Sequence, residues 1–110
     1  MAKFLNELVA EKMHSGNWKL HDTLNYTSDL IGNVSVPQGF VTDFASVPRL
    51  PVAYVLFDGV ADSSAVIHDY LRRENIINRR TADNVFLEAM KAEGVPRWRR
   101  YPMYWAVSVF

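Results

Sequence analysis

The first forty residues alternate between apolar and polar positions with the period of a β-strand. From Trp18 to Tyr26 the even positions are mostly apolar and the odd positions mostly polar, which is the pattern of a half-buried strand. Residues 8–13 and 33–41 are predicted to form the neighbouring strands, the latter interrupted at 37–39. The sequence therefore predicts an antiparallel β-meander, with a short helix in residues 4–13 as the alternative for its first strand.

The second half of the chain changes to the spacing of amphipathic helices. Asp62 is a good N-cap for a helix from residue 63 to about residue 74. Thr81 is expected to cap a second helix that ends near Glu93, with Gly94 as its C-terminal stop. Two helices joined by a short break are therefore predicted.

A third helix is expected at the C-terminus. Pro96 suits its first turn, and aromatic residues recur at helical spacing after it, although Pro102 lies inside the segment. We therefore predict a single α+β domain in which an N-terminal antiparallel β-meander packs against two or three C-terminal helices. Residues 1–48 are assigned mainly to strands and a rigid loop, and residues 62–110 mainly to helices.

The composition limits the classes of function. A chain of 110 residues with 49% hydrophobic residues can bury one core. The formal net charge is zero, so no global field attracts nucleic acid or an anionic membrane, and partners must be argued from local patches. The absence of cysteine excludes disulfides, thiolate catalysis and thiolate metal sites, and it fits a reducing compartment.

Neither a secretion signal nor a membrane span is expected. Residues 1–10 mix charged and amide side chains among apolar ones, which is not the order of a signal peptide. The longest apolar stretch, residues 52–57, is bounded by Pro51 and Asp58 and falls far short of the roughly 20 residues that span a bilayer. We therefore expect no membrane insertion.

The loop over residues 36–49 is the most unusual segment, because its prolines and glycine fix a backbone that is too apolar for a free linker. In one interpretation Asp43 and Ser46 only satisfy backbone donors. In the other, the Asp43 carboxylate is a preorganised ligand or base, and the hydroxyl groups of Thr42 and Ser46 bind a substrate.

The first predicted helix carries a second candidate group. His68 and Asp69 lie at the two borders of its apolar stripe, with Arg72 between them on the polar side as a further substrate-binding candidate. Imidazole beside carboxylate suits general acid–base chemistry and also a divalent metal. The alternatives are an exposed ion pair between Asp69 and Arg73 and a histidine bonded to a helix carbonyl.

Asp83 adds a third carboxylate at the edge of the second helix. The helix dipole would explain an acid in a first turn, but the direction of Asp83 is inward, so it could meet His68 across the helix pair. Asp43, His68, Asp69 and Asp83 would then converge as a catalytic set. With Asp43, His68 and Asp83 as ligands, the set would suit Zn²⁺, Mn²⁺ or Mg²⁺, although no H-x-H or H-E-x-x-H spacing supports a metal.

The predicted third helix interleaves arginines with aromatic residues. The candidate interface residues are Arg97, Trp98, Arg99, Tyr104 and Trp105. Such a stripe could bind a phosphate backbone and stack bases, or form a protein interface. Alternatively, the aromatic side chains pack on the sheet and the arginines face water. Nucleic acid is the least favoured of these partners.

A composite pattern covers most of the chain from about Trp18 to Met90. Its parts are Val36-Pro37-x-Gly39-Phe40-x-Thr42-Asp43-Phe44-Ala45-Ser46-Val47-Pro48, His68-Asp69-Tyr70-Leu71, Arg80, Ala82-Asp83, Phe86 and Ala89-Met90. The pattern resembles a family of small phage and prophage proteins, the domain of unknown function 1353. The resemblance implies a phage-related origin, and it brings no established activity. The positions that match the family motif are Thr42, Asp43, Ser46, His68, Asp69 and Asp83.

Two hypotheses of function follow. The first is a phage-encoded, hydrolase-like protein with an Asp/His pocket, whose substrates belong to the cell wall or another part of the phage life cycle. The second is a non-catalytic virion component, such as a tail or capsid accessory, or a protein that binds a host factor. In both, the protein would be found in the host cytoplasm or the virion.

Overall fold

The computed structural model describes residues 1–15, 17–42, 62–75 and 77–109. Six strands come first, in the order β1 (Lys3–Phe4), β2 (Ala10–Lys12), β3 (Trp18–Leu20), β4 (Leu24–Ser28), β5 (Gly32–Val36) and β6 (Val41–Thr42). The helices follow as α1 (Asp62–Arg73), α2 (Arg79–Ala92) and α3 (Arg97–Val109). The predicted α+β class, with N-terminal antiparallel strands and C-terminal helices, is confirmed.

The six strands form two three-stranded antiparallel sheets, ordered β1-β4-β5 and β2-β3-β6, which continue one another in register. Lys3 lies opposite Thr27, and Ala10 lies opposite Leu20. From the first pair to the second, one strand advances by seven residues and its antiparallel partner goes back by seven, so the register is unchanged. The pairs β4–β5 and β3–β6 keep a common register in the same way. The chain therefore runs as a meander of three long strands, each broken once, and residues 10–12 form a strand.

The prediction of one uninterrupted strand from Trp18 to Tyr26 was wrong, because the chain bends at residues 21–23. The side chain of Asn6 bridges this bend. Its Oδ1 accepts a hydrogen bond from Asn25 N at 2.8 Å, and its Nδ2 donates to Thr23 O at 2.8 Å. A side-chain amide thus supplies the donor and the acceptor that a straight neighbouring strand would have given.

The meander packs its buried face against α1 and α2. The strand residues of this core are Leu20, Leu24, Tyr26, Val34 and Val36, and the helix residues are Val66, Ile67, Leu71, Ala82, Val85 and Ala89. Burying one such large aliphatic side chain stabilises the fold by about 1.5–3 kcal/mol. The buried apolar residues on both sides of the bend, Leu20, Leu24 and Tyr26, are all at even positions, so the alternation identified the correct face.

The start of α2 differs from the prediction. Asn78 is the N-cap, and its Oδ1 accepts a hydrogen bond from Thr81 N at 2.8 Å. Thr81 is therefore three residues inside the capping position, and the prediction that it caps the helix was wrong. Asparagine has extended backbone geometry here and is among the best capping residues. Gly94, with a φ of 86°, ends the helix as predicted.

The third helix is confirmed, with Pro102 inside it, but it packs on α2. Its inward side chains are Met103, Ala106 and Val107, which are buried. Met103 and Val107 belong to a second apolar cluster, together with Phe86, Met90 and Val95. Among the described helices, none is long and apolar enough to cross a membrane.

Candidate functional site

The centre of the candidate site is a pair of polar side chains held between α1 and α2. His68 Nε2 lies 2.6 Å from Asp83 Oδ1, and the two residues are only 1% and 4% exposed. The prediction that Asp83 meets His68 across the helix pair is therefore confirmed. Because α2 begins at Arg79, Asp83 lies beyond the first turn, and the helix dipole does not explain its position.

The surroundings of His68 determine its protonation. Burial lowers the pKa of the His68 imidazole, and this effect outweighs the Asp83 carboxylate, which raises the pKa. The ring of Phe86 covers the imidazole, with 4.8 Å between the ring centroids. A neutral imidazole that bonds a carboxylate through Nε2 carries its proton on that atom, and we therefore assign the lone pair to Nδ1.

Asp69 is also buried, at 4% exposed. Its Oδ1 lies 3.2 Å from Nε of Arg73, the residue four positions later in the helix, and the Arg73 side chain is 47% exposed. The interpretation of an exposed ion pair was wrong for Asp69. Arg73 Nη1 also donates to Val41 O at 2.6 Å, and its guanidinium lies over the ring of Phe40. Asp69 and Arg73 therefore join α1 to β6.

Arg73 was missed as part of the site. Its spacing from Asp69 was visible in the sequence, but its contact with β6 depends on how the sheet packs against α1. The contact positions the end of the meander beside the helix that carries His68.

The remaining predicted residues are placed as follows. Thr42 is fully buried at the end of β6, opposite Trp18. Arg72 is half-buried on α1, close enough for its charge to contribute to the lowered pKa of His68. Asp43 and Ser46 lie outside the described residues.

The metal hypothesis depends on Asp43. Within residues 1–15, 17–42, 62–75 and 77–109, no group of three or more histidine, aspartate or glutamate side chains could hold a metal ion. His68 and Asp83 are in direct hydrogen-bond contact. The geometry of the described pair is that of an oriented imidazole, which suits proton transfer.

A half-buried carboxyl group that sequence reasoning missed reaches the beginning of α1 from the end of α2. Glu93, the C-cap of α2, accepts hydrogen bonds from the backbone N–H of Ser64, at 2.6 Å to Oε1, and from the Ser64 hydroxyl group. Burial raises the pKa of Glu93 above its ordinary value. No local pattern signals this contact, because the two residues belong to different helices.

The candidate interface on α3 divides into two parts. Trp98 and Trp105 are 69% and 62% exposed, and Arg97 is exposed beside them, whereas Arg99 is half-buried. Tyr104 turns toward α2, and its hydroxyl group donates to Asn84 Oδ1 at 2.8 Å. The interpretation that the aromatic side chains pack on the sheet was wrong, because smaller apolar residues take the inward side of the helix.

Comparison with known proteins gives a family but no activity. Residues 18–107 match the model of a family described as "Protein of unknown function (DUF1353)". The chain is also 34% identical, over 77 residues and 68% of its length, to "Uncharacterized protein y4jT" of Sinorhizobium fredii, and the match spans 23% of that relative. No solved structure matches. With the family model matching most of its length, the chain belongs to the DUF1353 family of proteins of unknown function.

Proposed function

We propose that this chain is a small, phage-encoded, hydrolase-like protein in which His68 is the general base. The observation that carries the proposal is the 2.6 Å contact between His68 Nε2 and Asp83 Oδ1 inside the helix pair. A carboxylate in this position fixes the orientation and the tautomer of an imidazole, which is what general base catalysis requires.

The chemistry follows from the protonation of the pair. The neutral imidazole keeps a lone pair on Nδ1, which can take a proton from water or from a substrate hydroxyl group as the oxygen attacks. The Asp83 carboxylate would then stabilise the imidazolium, and its effect is strengthened by the low dielectric constant around the buried pair.

Asp69, Thr42 and Arg72 complete the proposal on the described side of the site. Asp69 holds Arg73 against β6, so its part is to position the end of the meander beside α1. Arg72 is half-buried, and its charge adds to the lowering of the pKa of His68. It would bind an anionic group of the substrate. We also propose that Asp43 belongs to the catalytic set and that Thr42 or Ser46 binds the substrate.

The enclosure of the pair adds a requirement. His68 is only 1% exposed, so a substrate reaches it only when the protein opens locally. Local openings of this kind are common at binding sites, where lids and loops belong to the less stable parts of a fold. A purely structural pair, which locks α1 onto α2, would need no such opening.

The test compares His68→Gln with His21→Gln. His21 is exposed in the bend after β3, so its substitution is a matched control. Purified proteins are assayed on chromogenic esters, phosphomonoesters and phosphodiesters, and on dye-labelled peptidoglycan, because cell-wall material is a phage life-cycle substrate. Melting temperatures are measured for all three proteins.

A functional His68 predicts turnover by the wild type and by His21→Gln, with a loss of about 100-fold or more in His68→Gln, although that variant remains folded at the assay temperature. Two results contradict the proposal. One is the absence of turnover across the whole panel. The other is turnover that His68→Gln leaves intact while its melting temperature falls, which assigns the pair to stability alone.

A further inference from the structure

The outer side of α3 exposes three aromatic side chains that folding does not explain. Trp98, Tyr101 and Trp105 are 69%, 51% and 62% exposed, and their spacing of three and four residues places them on one side of the helix. Met103 and Val107 occupy the opposite side and are buried. We call the three exposed side chains the aromatic ridge. Clustered aromatic side chains in water indicate a binding surface.

The helices α2 and α3 carry more cations than acidic residues. The acidic residues between positions 79 and 109 are Asp83, Glu88 and Glu93. Each of them is hydrogen-bonded to α1 or to the meander. The cations of the same segment are Arg79, Arg80, Lys91, Arg97, Arg99 and Arg100. The layer formed by α2 and α3 is therefore positive, although the chain as a whole has zero formal charge.

Cations lie near both ends of α3. Arg97 and Arg100 belong to the first turn of α3, and Arg79 Nη2 donates to Val107 O near the other end of the helix, at 3.4 Å. Val107 lies opposite the ridge, so an anionic surface that contacts the ridge would meet positive charge at the Trp98 end, where Arg97 is exposed.

We propose that the aromatic ridge binds the surface of a bilayer that contains anionic phospholipids. Tryptophan and tyrosine prefer the headgroup region, because their rings are apolar and their N–H or O–H groups are polar. Arginines beside them contact lipid phosphates. The proposal concerns peripheral binding only, and it does not depend on the hydrolase-like role of His68.

Two arginines lie beside aromatic rings of the ridge. The Arg99 guanidinium lies over the Trp98 ring, 5.1 Å from its centroid, and Arg100 lies over Tyr101 at 5.4 Å. Arginine beside an aromatic ring also occurs in proteins that bind single-stranded nucleic acid, so the oligonucleotide arm of the experiment is needed to distinguish that partner from lipid. In a headgroup layer the same pairs bring a cation and a ring to the phosphates together.

The size of the ridge favours lipid over a protein partner. From Trp98 to Trp105 it extends only about 10 Å along one helix. A stable protein interface needs about 800 Å² and roughly 20–30 residues on each side. A bilayer surface has no such requirement, since a few interfacial aromatic residues and nearby cations suffice for reversible binding.

The experiment uses the full chain and vesicles of phosphatidylglycerol mixed with phosphatidylcholine, with phosphatidylcholine vesicles as the reference. Co-sedimentation measures binding, and a blue shift of tryptophan emission reports whether the indoles leave water. The test variants are Trp98→Ala/Trp105→Ala and Arg97→Gln. The matched control is Leu5→Ala/Leu30→Ala, which removes two exposed apolar side chains of the meander.

We expect binding to the anionic vesicles, weakened by salt, with a blue shift that the double tryptophan variant abolishes. Arg97→Gln should weaken binding about fivefold, and the leucine control should bind as the wild type does. Circular dichroism melting checks that every variant is folded.

Several outcomes would overturn the proposal. These are the absence of binding to anionic vesicles, equal binding to both vesicle types, and binding that the tryptophan variant retains. If a single-stranded oligonucleotide or an acidic protein binds and the vesicles do not, the ridge is the binding site for that partner instead. A concentration-dependent dimer without vesicle binding, lost in the tryptophan variant, would assign it to a second copy of the chain.

Discussion

Glu93 at the end of α2 accepts hydrogen bonds from Ser64 at the start of α1. The carboxyl group of one helix thereby satisfies a backbone N–H in the first turn of the other. Residues 64 and 93 are 29 positions apart in sequence, and the bond ties the outer ends of the helix pair that encloses His68 and Asp83. Glu93 therefore satisfies a backbone donor at the start of α1, as the side chain of a local N-cap would.

This contact makes the stability of the fold depend on pH in a defined direction. Because burial raises the pKa of Glu93, the folded protein holds this proton more tightly than the unfolded chain does. The stabilisation is complete below the ordinary glutamate pKa of 4.5 and is lost as pH rises through the raised value. Glu93→Gln should therefore become relatively more stable, compared with the wild type, as pH rises through that range.

Urea unfolding of both proteins over a pH series measures the difference in the free energy of unfolding. Glu74→Gln, which changes an exposed glutamate at the end of α1, is the control and should show no such trend. A difference between Glu93→Gln and the wild type that does not vary with pH would contradict the prediction.

His68 predicts the opposite dependence. Burial lowers its pKa from 6.5, so the folded protein binds this proton less readily than the unfolded chain does. The stabilisation is complete above 6.5 and is lost as pH falls toward the lowered value. Thermal unfolding between neutral and mildly acidic pH should show this loss in the wild type and in His21→Gln, whereas His68→Gln should lack it. Parallel curves for all three proteins would show that His68 does not control the acid response.

The contact between His68 and Asp83 also predicts non-additive substitutions. Asp83→Leu leaves the buried Nε2–H of His68 without an acceptor, which should cost about 3 kcal/mol of unfolding free energy. The double variant His68→Leu/Asp83→Leu removes both polar groups and should be more stable than Asp83→Leu alone. A double-mutant cycle by urea unfolding measures the coupling. Additive effects would mean that the two side chains contribute independently.

The sequence predicted the meander because its signal is local. Apolar and polar positions alternate along the chain, and Leu20, Leu24 and Tyr26 lie on the same buried face. The bend after Leu20 does not change this alternation. The bend itself could not be predicted, because it is bridged by Asn6, which lies between β1 and β2. Residue type alone could not identify the N-cap of α2, because Thr81 and Asn78, three positions earlier, both have side-chain oxygens that can accept a hydrogen bond from a backbone N–H.

The candidate site could be predicted in part for a similar reason. Helical periodicity predicted that Asp83 lies on the inward side of its helix. Because a short connection joins the two helices, an inward residue at this position comes close to His68. Contacts that depend on how layers pack leave no local signal, and the bond from Arg73 to Val41 is of this kind. The aromatic stripe of α3 was recognised, but its direction depended on which apolar residues fit against α2.

A hydrogen bond between the meander and α2 provides the last prediction. The hydroxyl group of the fully buried Tyr26 donates to Glu88 Oε1 at 2.6 Å, and Glu88 Oε2 accepts from the backbone N–H of Asp29. Burial, followed by the bond to Glu88, raises the pKa of Tyr26 well above its ordinary value. Tyr26→Phe keeps the ring and removes the donor, so it should lower the free energy of unfolding by about 1–2 kcal/mol. Tyr101→Phe, on the exposed side of α3, should have no measurable effect. In an alkaline titration followed by tyrosinate absorbance, Tyr26 should ionise only when the protein unfolds, and its titration in the folded protein would show that the bond to Glu88 does not form.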